Sequence, residues 1–162
     1  MLWRLLICLV VPIGGSVPQP IVAQELDGLR HELRVASNDT SYARAAYFLA
    51  RTHFGLGNPD SVVAYADRGL RHLENDRPSG PRIEFWRTQL WRIRGMGWFT
   101  ASHFDSALVA FQQMYRFAAE QHIVKDMGAA LSYQGFALRQ AEDRPAAMGM
   151  IRKAVNLLKQ LP

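Results

Sequence analysis

Three small or medium-sized residues recur in this chain at the same two intervals. Ala50, Val62 and Gly69 are separated by twelve and then seven residues, and the pattern returns in Gly95, Ala107 and Met114 and again in Gly135, Ala147 and Ala154. Close packing accounts for such spacing. Two antiparallel helices approach only where facing side chains are small, and a neighbouring unit presses on the third position. Three copies of the pattern confine the chain to stacked helix pairs, each burying a face on the next.

The rest of the sequence agrees with an all-α chain. No strand-like alternation of any length occurs, and apolar residues return at helical spacing. Leu26, Leu29 and Leu33 share one face of a first helix, after which Ser37-Asn38-Asp39-Thr40 offers N-cap side chains for the next. The second helix is expected from about Ser41 to Leu56, with Gly57-Asn58-Pro59-Asp60 as a turn, and the third from Pro59 to Glu74. Asn75 to Gly80 reads as a linker, and Pro81 opens a longer fourth helix to about Thr100. A fifth follows from Phe104 or Asp105 to Glu120, and a sixth from Val124 to Ala141. Glu142-Asp143-Arg144 turns the chain, and Pro145 opens a seventh helix to about Lys159.

The N-terminus reads as a leader rather than as part of the fold. Arg4 precedes the apolar run Leu5 to Val11, Pro12, Gly14 and Gly15 break it, and Ile21-Val22-Ala23 ends on a small residue. This is the pattern of a secretory signal peptide cleaved near Ala23, before Gln24. The run is much shorter than the roughly 20 apolar residues of a spanning helix, so no membrane span is expected in the mature chain. The one cysteine, Cys8, lies inside the leader. Bulky Ile7 before it and apolar Leu9 to Val11 after it do not suit a lipoprotein site. The mature chain would then have no thiol, disulfide or cysteine metal site. The expected organisation is residues 1–23 as signal peptide, 24–37 as an N-terminal capping helix and 41–162 as a repeat domain, with units at about 41–75, 81–120 and 123–161. Export implies the periplasm or secretion.

The formal net charge of +5 would become +4 without Arg4. The basic residues are spread out, with no run of four. With export, this argues against nucleic acid as a partner and leaves a mildly basic surface for acidic ones.

The second unit, with Trp91, Gly95, Trp98, Ala107 and Phe111, resembles the tetratricopeptide repeat family, whose signature places large, small, aromatic, alanine and aromatic residues in that order. The first unit supplies Leu49-Ala50 and Tyr65, and the third Leu131, Gly135, Leu138, Ala147 and Ile151. The resemblance covers about Ser41 to Leu161 and implies an α-solenoid of about three such helix pairs. It departs from the family in period. Ala50 to Gly95 is 45 residues and Gly95 to Gly135 is 40, against about 34 in the family. Arg94 and Gln134 also stand where the family usually has leucine. Asn38-Asp39-Thr40, Asn58-Pro59-Asp60-Ser61 and Tyr65-Ala66 most resemble the extracytoplasmic N-terminal repeat arrays of bacterial signalling proteins.

Reactive constellations are not found in the sequence. No two of His31, His53, His72, His103 and His122 are three or four apart, so a helical zinc pair is excluded. His53 occupies a place where the family often has an aromatic, which makes packing the better reading. Gly95-Met96-Gly97 lacks the strand, further glycines or lysine of a phosphate loop. Gly95 has a packing role, and Gly97 has none that the sequence assigns. Glu25, Asp27 and Glu32 form a short polar face. No catalytic residue, cofactor or metal ligand is expected.

The resemblance instead implies binding along the concave groove, lined by the first helix of each unit. Its register points to Arg44, Tyr47 and Arg51, then Gln89, Arg92, Met96 and Phe99, then Ser132, Phe136 and Arg139. Arginines among aromatic and methionine side chains suit an acidic or C-terminal-carboxylate peptide. The family's clamp for chaperone tails is absent, since Tyr47, Arg51, Ile93, Ala129 and Tyr133 stand at its positions. Val155, Leu157, Leu158 and Leu161 are apolar for a terminal helix. They point to another unit, a self-associating edge or a further domain. The expected function is an exported protein- or peptide-binding scaffold without catalysis. The alternative is the ligand-sensing segment of a bacterial signal-transduction system.

Overall fold

The computed structural model describes residues 19–74 and 80–161. Most of the expected leader and nearly all of the expected linker lie outside them. Among the described residues there are seven helices and no strand: α1 (Gln19–Val35), α2 (Asp39–Gly55), α3 (Pro59–Glu74), α4 (Pro81–Thr100), α5 (Phe104–Glu120), α6 (Val124–Gln140) and α7 (Arg144–Leu158). Each helix packs on the next in the chain, and α2 also packs on α4. This is an all-α array of solenoid type, with α1 lying against α2 at one end.

All nine residues of the twelve-and-seven pattern are buried. A Cβ on Gly69 of α3 would lie 2.8 Å from Leu90 of α4 and 3.1 Å from Ala46 of α2. One on Gly135 of α6 would lie 2.7 Å from Ile151 of α7. Gly97, unexplained in the sequence, has the same purpose in the other direction. Its missing side chain would meet Val62 and Val63 of α3 at 2.9 Å, so α4 rests on α3 through one glycine and on α5 through Gly95. The larger core cluster joins Ala43, Ala46, Tyr47 and Ala50 to Val62, Ala66, Leu70 and Leu73 and to Leu90 and Ile93.

Local chemistry sets the boundaries. Asn38 accepts a hydrogen bond from the Ser41 N–H at 2.9 Å, and Ser41 Oγ is 3.4 Å from the Asn38 N–H, a capping box that starts α2 at Asp39 instead of Ser41. Asp143 caps α7 through the Ala146 N–H at 3.1 Å. Four turns end their helices with a left-handed residue: Gly57, Ser102, His122 and Glu142, at φ of 68°, 61°, 55° and 64°. At each, the N–H of the left-handed residue and that of the residue after it return to the last helical turn, as in Gly57 N to Phe54 O and Asn58 N to His53 O. Helix α1 begins at Gln19, ahead of the expected cleavage point at Gln24.

Arg94 and Gln134 both find partners. Arg94 Nε donates to Asp67 Oδ1 at 2.6 Å, with its guanidinium 5.1 Å from the Trp91 ring centre. Buried Gln134 donates to the Phe111 carbonyl at 3.3 Å. His53 is buried and stacked on Tyr65, with ring centres 5.4 Å apart.

Candidate functional site

Helices α2, α4 and α6 are the first members of the three pairs, but they are not evenly spaced. Small side chains on α2 (Ala43, Ala46 and Ala50) let α4 come close. Between α4 and α6 the facing side chains are Met96 and Phe99 on one side and Tyr133 and Phe136 on the other. Such bulk holds the helices apart and leaves a pocket of about 250 Å³ lined by Phe54, Met96, Phe99, Thr100, Phe111, Tyr133 and Phe136. Phe54 comes from the end of α2 and Phe111 from α5, so four helices contribute.

The pocket is almost wholly apolar at its surface. Thr100 turns its hydroxyl onto the Met96 and Gly97 carbonyls, at 3.1 and 2.9 Å, and presents its methyl instead. The rings of Phe111 and Tyr133 stack 5.0 Å apart at an interplanar angle of 26°. Phe136 is 41% exposed, unusual for so large an apolar side chain beside an open cavity. The Arg139 guanidinium lies over the Phe136 ring at 5.6 Å, placing a cation at the rim. Exposed Arg51 precedes Phe54 by one helical turn on the same face of α2.

Of the ten residues expected in the groove, Met96, Phe99 and Phe136 line this pocket, and Arg139 stands over it. Two expectations are corrected. The register places Tyr47 and Gln89 in the groove, yet both are buried and offer no surface to a ligand. Tyr47 is drawn into the α2–α4 contact, where its hydroxyl accepts a hydrogen bond from Arg92 at 2.8 Å, so Arg92 is partly engaged as well. Arg44 pairs with Glu32 of α1 at 3.1 Å. Ser132 donates to the Gly128 carbonyl at 3.0 Å within its own helix. Sequence reasoning missed Phe54, Thr100, Phe111 and Tyr133. Phe54 carried a signal, since it follows the groove position Arg51 by one turn; for Phe111 none was available, because it is a core residue, 1% exposed, that only floors the pocket.

Among the described residues no group of three or more His, Cys, Asp or Glu side chains is gathered closely enough to hold a metal ion. No helix among them is long and apolar enough to cross a membrane.

No family model matches the chain, and no curated protein matches its sequence. Among solved structures it is similar to BtubC (BKLC) from P. vanneervenii, with a TM-score of 0.66 and 11% identity over 88% of this chain. The match spans 56% of the BtubC chain. At that identity the likeness concerns the fold.

Proposed function

We propose that this chain is a binding scaffold of the tetratricopeptide type, exported after loss of its leader, that holds an extended acidic peptide along the α2–α4–α6 face and seats one large apolar side chain in the aromatic pocket. The pocket carries this reading. A cavity of about 250 Å³ is small for a cofactor, since small-molecule sites run from roughly 300 to 1,000 Å³. It is suited to a single Phe, Leu or Met side chain, and buried aromatic pockets of this kind anchor protein interfaces.

The charge around it supports the acidic class. Arg139 lies at the rim and Arg51 one turn from Phe54, both exposed. A guanidinium engages a carboxylate through two parallel hydrogen bonds, which fixes direction as well as charge. The mechanism is recognition without bond making: the apolar side chain supplies affinity and the arginines supply register.

Selection of the full chain against a random peptide display library tests the reading. The enriched peptides should combine Asp or Glu with one large apolar residue. Phe136→Asp should abolish their capture, and joint Arg51→Ala and Arg139→Ala should weaken it about tenfold or more, while circular dichroism and melting stay at wild type. Undiminished capture by Phe136→Asp would remove the pocket from consideration.

A further inference from the structure

The internal repeat allows one helix to be compared with another. When Val62 of α3 is set on Ala147 of α7, Val63 falls on Met148, Asp67 on Arg152, Leu70 on Val155 and Leu73 on Leu158. On α3 the apolar members of this set are covered: Val63, Leu70 and Leu73 are 8, 6 and 1% exposed. Helix α4 provides the cover, with Gly97 against Val63, and Leu90 and Ile93 in one cluster with Leu70 and Leu73. On α7 the equivalent Met148, Val155 and Leu158 are 60, 45 and 37% exposed. Leu158 also rests on Gly128 of α6, so the part of the stripe that stands open on α7 is centred on Met148 and Val155.

The charged member of the set has changed sign. Asp67 fixes α4 on α3 through its 2.6 Å pair with Arg94. Its counterpart, Arg152, is exposed, and α7 carries Arg144 and Lys153 with no acidic residue. Joining α7 to α7 of a second copy would set arginine against arginine, and like charges facing across an interface oppose association. Self-association through this helix is therefore the poorer occupant.

We propose that the open face of α7 docks an amphipathic helix of a partner protein, laid as α4 lies on α3, with Asp or Glu where α4 carries Arg94. The apolar stripe supplies the contact and Arg152 selects the partner by charge. This surface is separate from the aromatic pocket and does not depend on the peptide reading.

Two labelled peptides spanning residues 81–100 test it, one unaltered and one with Arg94→Glu, titrated into the full chain by fluorescence anisotropy. The Arg94→Glu peptide should bind about tenfold more tightly than the unaltered one, and an Arg152→Glu chain should reverse that preference. If Arg152→Glu does not fold, Arg152→Gln with a wild-type melting curve should erase the preference. Equal binding of both peptides, no binding of either, or a preference indifferent to position 152 would overturn the proposal. So would a dimer, seen by light scattering, that Val155→Glu dissolves, because a second copy would then hold the face.

Discussion

Gly95 of α4 lies directly beneath the ring of Phe111 of α5, so close that a Cβ there would come within 2.7 Å of Phe111 Cδ1. The ring cannot retreat freely, since it stacks on Tyr133 behind. Gly95→Ala would gain about 1 kcal/mol of helix propensity but force an overpacked core, which costs roughly 1–3 kcal/mol. We expect a net loss of stability in urea unfolding. Gly28→Ala is the control: it sits mid-helix with nothing within 4 Å of its missing Cβ, and should gain up to about 1 kcal/mol. Equal effects at the two positions would remove the close-packing explanation of the repeat.

His53 should make the fold acid-sensitive. Burial holds its pKa below the ordinary 6.5, and the nearby positive charge of Arg30 adds to this. Neither ring nitrogen has a hydrogen-bond partner among the described residues. The unfolded chain therefore takes up the proton first, so stability falls as pH drops below about 6.5 and continues to fall until the folded-state pKa is passed. His53→Phe, which keeps a ring against Tyr65, should flatten this part of a stability-versus-pH curve. A curve of unchanged slope between pH 6.5 and 5 would contradict the assignment.

Three of the four left-handed turn residues are not glycine. Ser102, His122 and Glu142 each carry a Cβ at positive φ, a conformation that costs roughly 1–2 kcal/mol for an L-residue. Ser102→Gly and Glu142→Gly should each raise stability by about 0.5–1 kcal/mol, after the extra freedom of glycine in the unfolded chain is allowed for. Gly57→Ala should lower it by a similar amount. Melting temperatures of the three variants decide the matter by their signs.

Glu84 and Arg87 form an ion pair at 2.6 Å with both side chains largely out of water. Arg87 also donates to the Leu73 carbonyl at 3.0 Å and lies over the Phe117 ring, tying α4 to α3 and α5. Glu84→Ala leaves that guanidinium without its counter-charge and should cost about 2–4 kcal/mol. Glu84→Leu combined with Arg87→Met should recover most of the loss, since apolar replacement of a whole buried pair is often close to neutral. The double-mutant cycle, read by chemical denaturation, gives the coupling between them.

The sequence made the helices legible because punctuation and period agreed. Pro59, Pro81 and the turn at Glu142 mark ends that the structure shares, and the nine spaced small residues name the contacts between helices. Helix α2 begins earlier than read because Asn38, rather than a later residue of its cluster, closes the capping box with Ser41. The site was only partly legible. Register tells which residues lie on the inner face of a helix, but not how far apart two helices stand. That distance decides whether an aromatic becomes core or pocket wall. Small residues on α2 brought α4 near enough to bury Tyr47, while Met96, Phe99, Tyr133 and Phe136 opened the gap between α4 and α6. Gly97 was unreadable for a related reason. Its partners Val62 and Val63 belong to the preceding unit, whose docking angle no single period encodes.

The order in which the helices touch has a consequence for how the chain folds. Contacts run from each helix to the next, with α2 on α4 as the main addition. Short separations along the chain mean small loop-closure penalties, so folding should be fast for a chain of this size. A structure joined mainly to its chain neighbours also need not open all at once. Amide exchange should be graded, with α1 and α7 losing protection before the helices around Leu90 and Phe111, as frayed ends of a cooperative but one-dimensional lattice.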